Sequence, residues 1–434
     1  MPGLWQTSAF NARPGRAGLA LASFLLAGVA IAQETHITMT PPERPAETAM
    51  GLGDLATLDR LLGEAGTPIE QALLRAYKAR TQSDLLAADA HAAQCSKLAR
   101  ADIPRFYESE AKCRSIIAGN AFIRGDLAQW TRLVGSALEA VEGQARSEAH
   151  YHFPGKFTAN ARVGLPGLWS LPKHMGRSPT FQRVGSSSKL DRVPFQDQGR
   201  TEEGVPRGPF SVRASADGQT ADFIVDTGAS TSLIGGALAA RLGVERASGD
   251  GGAMRIDLHL QGRSIDTHFA RLDLLEVGAF KAHDLAILVS ADKSVPSVIG
   301  LDLIRNMGAV RFSERALEIG ATSRCQDKLL LATDTLGTSQ FVVAPVSVSG
   351  STVMANIDTG NPALLIEFDA PRIAPWNAEF QDKTVNGLRG LVYASPKTSR
   401  YGALYNVGAG ILSGSDLFID LEASRLCLEP SAIN

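Results

Sequence analysis

Apolar positions along the chain fall into three rhythms. From residue 52 to about 140 they recur every three or four places, as at Leu55, Leu58, Leu61 and Leu62 and again at Leu73, Leu74 and Ala76, among Ala, Arg and Glu. That spacing lines one face of a 3.6-residue repeat and predicts amphipathic α-helices. From 142 to about 208 the rhythm stops. Pro154, Gly155, Gly164, Pro166, Gly167, Pro172, Gly176, Pro179 and the run Gly185-Ser186-Ser187-Ser188 read as linker. From 190 onward, short runs of Val, Ile, Phe and Leu alternate with turns bearing Gly, Asp or Ser, which predicts hairpins. The first strand is Leu190-Asp191-Arg192-Val193-Pro194-Phe195.

Two strand-like runs end in the same tripeptide. Phe223-Ile224-Val225 leads into Asp226-Thr227-Gly228, and Val353-Met354-Ala355-Asn356-Ile357 leads into Asp358-Thr359-Gly360, 132 residues later. Alone, an aspartate before a glycine is an ordinary turn. Here the surroundings repeat as well. A hairpin precedes each copy, turning at Ala216-Asp217-Gly218 and at Ser349-Gly350. Downstream stand Val298-Ile299-Gly300-Leu301-Asp302-Leu303 and Ile411-Leu412-Ser413-Gly414-Ser415-Asp416-Leu417, 76 and 58 residues from their aspartates by the Asp302 and Asp416 positions. A closing hairpin follows each: 309–312 with 316–319, and 418–421 with 425–428.

From about Val193 to the C-terminus this order resembles the pepsin and retropepsin family of aspartic peptidases, in a fused tandem of retropepsin-sized lobes. The resemblance implies two all-β lobes, each supplying one aspartate, so that Asp226 and Asp358 form a catalytic dyad. It further implies loop support from Thr227, Gly228 and Ser230 and from Thr359, Gly360 and Asn361. The threonines would bond across the lobe interface and the glycines allow the tight loop.

The chemistry fits those residue types. Two carboxyls about 3 Å apart cannot both ionise, so one holds a proton while the other stays charged, and the pair titrates together. The charged oxygen can take a proton from a shared water while the protonated partner bonds the developing oxyanion. Neither a metal nor a cofactor is required, and the chain carries no His-Glu-x-x-His, paired CxxC or Gly-x-Ser-x-Gly motif. Its eight histidines are scattered, with His150 and His152 the closest pair, and read as solvated linker residues.

The second motif departs from the first. Asp226-Thr-Gly continues as Ala229-Ser230-Thr231, whereas Asp358-Thr-Gly continues as Asn361-Pro362-Ala363. Proline fixes φ and removes a donor there. Either Asn361 compensates by bonding the outer oxygen of Asp358 or the site is weakened, and Ser413 before Gly414 is a further small departure. Glycine-bearing loops offer candidate flaps at Gly251 and Gly252 in the first lobe and at Gly387 in the second. A polypeptide in extended conformation would be gripped there by strand addition.

In the helical region Ala79-Arg80-Thr81-Gln82-Ser83-Asp84-Leu85 and Ala121-Phe122-Ile123-Arg124-Gly125-Asp126-Leu127 read as turns between antiparallel helices, a pattern that resembles tetratricopeptide-like hairpins. Such a domain could recruit a protein partner or the substrate. At the N-terminus Arg13 and Arg16 precede an apolar run from 17 to 32 ending in Ala30-Ile31-Ala32, which reads as a cleaved signal peptide. A run of about 16 is short for a membrane span. Export to the periplasm or beyond suits four cysteines, for which position favours Cys95 with Cys113 and Cys325 with Cys427.

A net charge of −2 says nothing about partners, no basic run suggests nucleic acid, and 44% hydrophobic content suffices for packed cores. The expected architecture is multidomain α plus all-β, an N-terminal α-helical hairpin domain followed by a bilobal pepsin-like all-β unit. Its parts are a signal peptide at 1–32, the helical domain at 50–141, a linker at 142–189 and lobes at 190–322 and 323–434. The expected function is that of an exported aspartic endopeptidase without cofactor, nucleic-acid partner or membrane span after signal removal. The alternative is a non-catalytic peptide-binding protein on the same fold.

Overall fold

A computed structural model describes residues 45–101, 107–137, 175–183, 190–196, 209–244, 253–258, 263–324, 326–368, 378–379, 383–390, 392–395 and 405–431. The signal-peptide reading, His150, His152, Gly251, Gly252, Cys325 and most of the 142–189 linker lie outside these residues. Among the described residues no helix is long and apolar enough to cross a membrane.

The helical region starts earlier than its apolar rhythm. Helices span Pro45–Leu52, Leu55–Glu64, Pro68–Thr81, Leu85–Ala101 and Tyr107–Ile123, and 127–137 are helical. Thr67 caps the third helix by accepting from Glu70 N–H at 3.1 Å, while the Glu70 carboxylate reaches back to Gly66 N–H at 3.1 Å, a reciprocal pair that satisfies two donors at once. Both turns read from the sequence are present, and a third precedes them. Gly53, Ser83 and Gly125 take positive φ of 71°, 62° and 77°. The next residue in each case caps the following helix, Asp54 to Thr57 N–H at 3.0 Å, Asp84 to Ala87 N–H at 2.9 Å and Asp126 to Gln129 N–H at 2.8 Å. The shared signature is Ala, three residues, Gly or Ser, Asp, Leu. Cys95 and Cys113 form a disulfide between the last two complete helices, with Cα atoms 5.9 Å apart. Cys427 is also disulfide-bonded.

Among the described residues three sheets follow. An eight-stranded sheet contains the first Asp-Thr-Gly strand, Gln219–Val225, and a nine-stranded sheet contains the second, Ser351–Asp358. A five-stranded sheet runs in the order Asp191–Pro194, Ala316–Ile319, Val310–Phe312, Ser415–Asp420, Arg425–Pro430, so strands from both halves pair through Val310↔Ile419. One apolar cluster runs from Val212 and Phe223 in the first half to Ile357 and Val407 in the second. Part of the expected linker is sheet: Thr180–Arg183 pairs antiparallel with Phe280–His283.

The internal repeat holds, with one shift. In the first half Val225 pairs in parallel with Ile299. In the second, Ile357 pairs in parallel with Val407, on the strand Tyr405–Gly408. The counterpart of Val298-Ile299-Gly300 is therefore Asn406-Val407-Gly408, not Ile411-Leu412-Ser413-Gly414. The latter residues lie in and just after a short 3₁₀ turn, Ala409–Ser413, where the first half has the helix Leu301–Met307.

The helical region is fastened to both halves. Arg80, fully buried, donates to Asn120 Oδ1 at 2.7 Å and to the carbonyls of Asp334 and Thr335 at 2.9 and 3.0 Å. Trp130 Nε1 donates to Leu336 O at 3.2 Å, Asn306 Nδ2 to Arg124 O at 2.8 Å, and Ser83 Oγ to Leu421 O at 2.8 Å. Phe122 and Trp130 pack with Leu233, Phe269, Leu288 and Val298 of the first half.

Candidate active site

Each aspartate stands where a strand buried between two neighbours gives way to a glycine loop. Asp226 N–H extends the parallel ladder to Ile299 O at 2.9 Å. Beyond the motif, each loop is tied to the residue after the paired glycine: Leu301 N–H donates to Ala229 O at 2.8 Å and Ala409 N–H to Asn361 O at 2.6 Å. These bonds make Ala229 equivalent to Asn361 and Gly300 equivalent to Gly408.

The threonines lock the two loops reciprocally. Thr227 N–H donates to Thr359 Oγ1 and Thr359 N–H to Thr227 Oγ1, both at 3.0 Å. Each hydroxyl donates onward, Thr227 to Ile357 O and Thr359 to Val225 O, both at 2.8 Å. Four bonds thus cross between halves through two buried side chains, each hydroxyl both donating and accepting.

That lock brings the carboxyls together, so that the single Gly360 N–H reaches Oδ1 of both. It also explains both glycines. A Cβ on Gly228 would strike the Asp358 carboxylate, and a Cβ on Gly360 would strike that of Asp226. Neither glycine has a positive φ, so close approach, rather than the tight loop, demands glycine here. Gly228 N–H and Gly360 N–H donate to Asp226 Oδ1 at 2.7 and 3.2 Å, and Gly360 N–H also reaches Asp358 Oδ1 at 3.1 Å. Burial pushes Asp226 well above the usual carboxylate range, and the Asp358 charge pushes it further. Burial raises Asp358 too, against hydrogen bonds from Asn406, Asp226 and the backbone that favour its charged form.

Asn406 had no place in the sequence reading. Its Nδ2 donates to Asp358 Oδ2 at 3.0 Å, the outer bond that Asn361 was a candidate to supply. Asn361 stands one step back, donating through Nδ2 to Asn406 Oδ1 at 3.3 Å and accepting from Ala363 N–H at 3.0 Å. The signal that could have found Asn406 is an amide interrupting an apolar strand just before a glycine. Ser230 serves the first loop differently from a carboxylate ligand. Its hydroxyl accepts from Gln340 N–H at 2.9 Å and its carbonyl from Gln340 Nε2 at 2.6 Å, stitching the loop to the other half.

Of the flap candidates, Gly387 falls among the described residues. Gly387 turns a hairpin whose Val385 pairs with Val348, and Asn386 N–H donates to Ser347 O at 2.8 Å. Val348 in turn pairs with Ser351, the far end of the strand that carries Asp358 at its near end. Seven residues of strand separate them, roughly 23 Å at 3.3 Å per residue, so Gly387 does not cover the dyad. In the first half Ala253 pairs with His268 and Leu258 with Arg263, while Gly251 and Gly252 lie outside the described residues.

Residues 212–303 match the family described as aspartyl protease, a span that includes Asp226 and its partner strand but not Asp358. The match supports an aspartic peptidase family assignment, a class whose general activity is peptide hydrolysis. Among solved structures the chain is similar to the aspartic proteinase from Irpex lacteus, at 13% identity and TM-score 0.40, covering 56% of this chain and 98% of that one. It is similar to the basic 7S globulin from soybean at 10% identity and TM-score 0.37, covering 56% and 96%. It is similar also to a retropepsin-like aspartic protease from Rickettsia conorii at 17% identity and TM-score 0.22, covering 31% and 95%. No curated protein matches the sequence.

Proposed function

We propose that the protein is an exported aspartic endopeptidase that hydrolyses extended polypeptides with one water held between Asp226 and Asp358, one carboxyl from each half of a bilobal β unit. The observation that carries this reading is the reciprocal Thr227–Thr359 lock, which sets each carboxyl against the opposite glycine. A lock of four bonds across two halves has little purpose in a loop that merely turns. A buried Asp226, raised well above the usual carboxylate range by burial and by the Asp358 charge, beside a half-buried Asp358 is the equipment for simultaneous base and acid catalysis. The ionised partner takes a proton from water as the water oxygen bonds to the peptide carbonyl carbon. The protonated partner donates to the carbonyl oxygen.

Export rests on Arg13, Arg16 and the apolar run that follows, and N-terminal sequencing of protein from its native host should begin at Gln33. For activity, the mature protein should cut an unfolded protein at acidic to mildly acidic pH and be blocked by a statine-type transition-state analogue. Asp226→Asn and Asp358→Asn should each lower turnover by about 10²- to 10⁴-fold with the fold intact. Binding of extended peptides with no cleavage by the wild type at any pH would instead support the non-catalytic peptide-binding reading.

A further inference from the structure

The two aspartate loops share a backbone but differ at two linked positions. After each Asp-Thr-Gly comes Ala229 in the first half and Asn361 in the second; two residues before the paired glycine comes Val298 in the first and Asn406 in the second. Val298 belongs to an apolar cluster with Phe122 and Trp130, and Ala229 packs against it. The second half replaces that apolar pair with a relay. Ala363 N–H donates to Asn361 Oδ1, Asn361 Nδ2 to Asn406 Oδ1, and Asn406 Nδ2 to Asp358 Oδ2.

We propose that Asn406, oriented by Asn361, is a positioning residue that assigns the negative charge of the dyad to Asp358 and the proton to Asp226. The inference rests on the peptidase reading and deepens it. An amide side chain has one accepting and one donating end. Because the Asn406 oxygen is engaged by Asn361, its NH₂ must face Asp358, and a donor aimed at a carboxylate oxygen favours the charged form. Both oxygens of Asp358 accept N–H bonds. Among the described residues, both N–H bonds to Asp226 fall on Oδ1, leaving Oδ2 to carry the proton.

The roles in the reaction then follow. Asp358 takes a proton from water as the water oxygen bonds to the carbonyl carbon, and Asp226 gives its proton to the carbonyl oxygen, forming a neutral diol. When the C–N bond breaks, the amine nitrogen takes the proton from Asp358, and Asp226 recovers one from a diol hydroxyl as C=O reforms. The dyad ends as it began.

The test compares wild type, Asn406→Val, which installs the first half's residue, and the milder Asn361→Ala. Cleavage of one peptide is followed across pH, and the carboxyls of ¹³C-labelled aspartate are titrated by NMR. Losing the donor raises the first ionisation of the dyad, so the acidic limb of kcat/KM should move up by about one pH unit in Asn406→Val, a tenfold change in proton affinity, and by less in Asn361→Ala. The loss should be greatest at low pH and shrink as pH rises past the shifted limb, whereas a merely structural defect lowers activity by the same factor at every pH. In the wild-type NMR titration Asp358 should ionise first. An unmoved acidic limb in both variants, or Asp226 ionising first, overturns the assignment. A wild type that cleaves nothing would end the peptidase reading, and the NMR titration would still decide which aspartate holds the charge.

Discussion

Behind the first aspartate lies a wall of apolar side chains supplied partly by the helical region; behind the second lies a chain of amides. The strand ladders around them are alike, with Val225 beside Ile299 and Ile357 beside Val407. Ile224, Ala229 and Val298 back the first loop together with Phe122 and Trp130. Asn356, Asn361 and Asn406 occupy the matching places in the second. A duplicated backbone can therefore deliver two carboxyls symmetrically while leaving side chains free to make them unequal. The geometry of the pair belongs to the repeat, and its protonation belongs to the differences.

Removing the apolar wall should break the comparison most severely. Trp130→Ala deletes a fully buried ring that touches Phe122 edge-on at 5.0 Å and bonds Leu336 O. It should cost about 3–5 kcal/mol in denaturant unfolding. A cost under about 1 kcal/mol would mean that the helical region is not an integral backing of the first half.

The shared geometry predicts a more even pair of effects. Gly228→Ala and Gly360→Ala each drive a methyl into the opposite carboxylate. Each should destabilise by about 1–3 kcal/mol and lower turnover, to a similar degree in both halves. Harm confined to one variant would show that the halves approach each other unequally.

The smallest effect sharpens the electrostatic difference. Both carboxyls are raised above 3.8, Asp226 the more strongly, so the folded state binds protons more tightly than the unfolded chain. Their contribution to stability is full below pH 3.8 and is lost as pH rises through the raised values. Asp226→Asn should accordingly raise the melting temperature relative to wild type at pH 7 and have little effect near pH 3.5. The gain is roughly 1.4 kcal/mol for each unit by which the aspartate is raised. An equal change at both pH values would sink this account.

Much of this architecture was legible in order and spacing. The strands into both Asp-Thr-Gly motifs, the closing hairpins, the Ser83 and Gly125 turns and the Cys95–Cys113 pairing all follow from local pattern. What local pattern could not convey was pairing at a distance. The strand Tyr405–Gly408 has a weak local signature because Asn406 interrupts its apolar run while Ile411-Leu412 supplies a stronger one nearby. Thr180–Arg183 contains Gln182 and Arg183 and becomes a strand only through the edge at Phe280–His283. Gly387 looked like a flap by composition, and only the register of Val385 with Val348 puts it at the wrong end of the sheet. The helical region read as a separable module because its own periodicity is complete. Its attachment depends on single polar atoms such as those of Arg80 and Ser83, which have no periodic signature.

That attachment has a consequence for how the molecule is made. Arg80 meets carbonyls 254 and 255 residues further along, and Ser83 meets one 338 residues away. A chain emerging from its N-terminus has long finished synthesising its N-terminal helices when the acceptors for that guanidinium come into being, and the ring of Trp130 waits 206 residues for Leu336. Contacts of such separation are closed late. The segment born first is thus among the last to be seated, and a chain truncated before Leu421 would keep every helical residue yet lose part of the surface on which the helices come to rest.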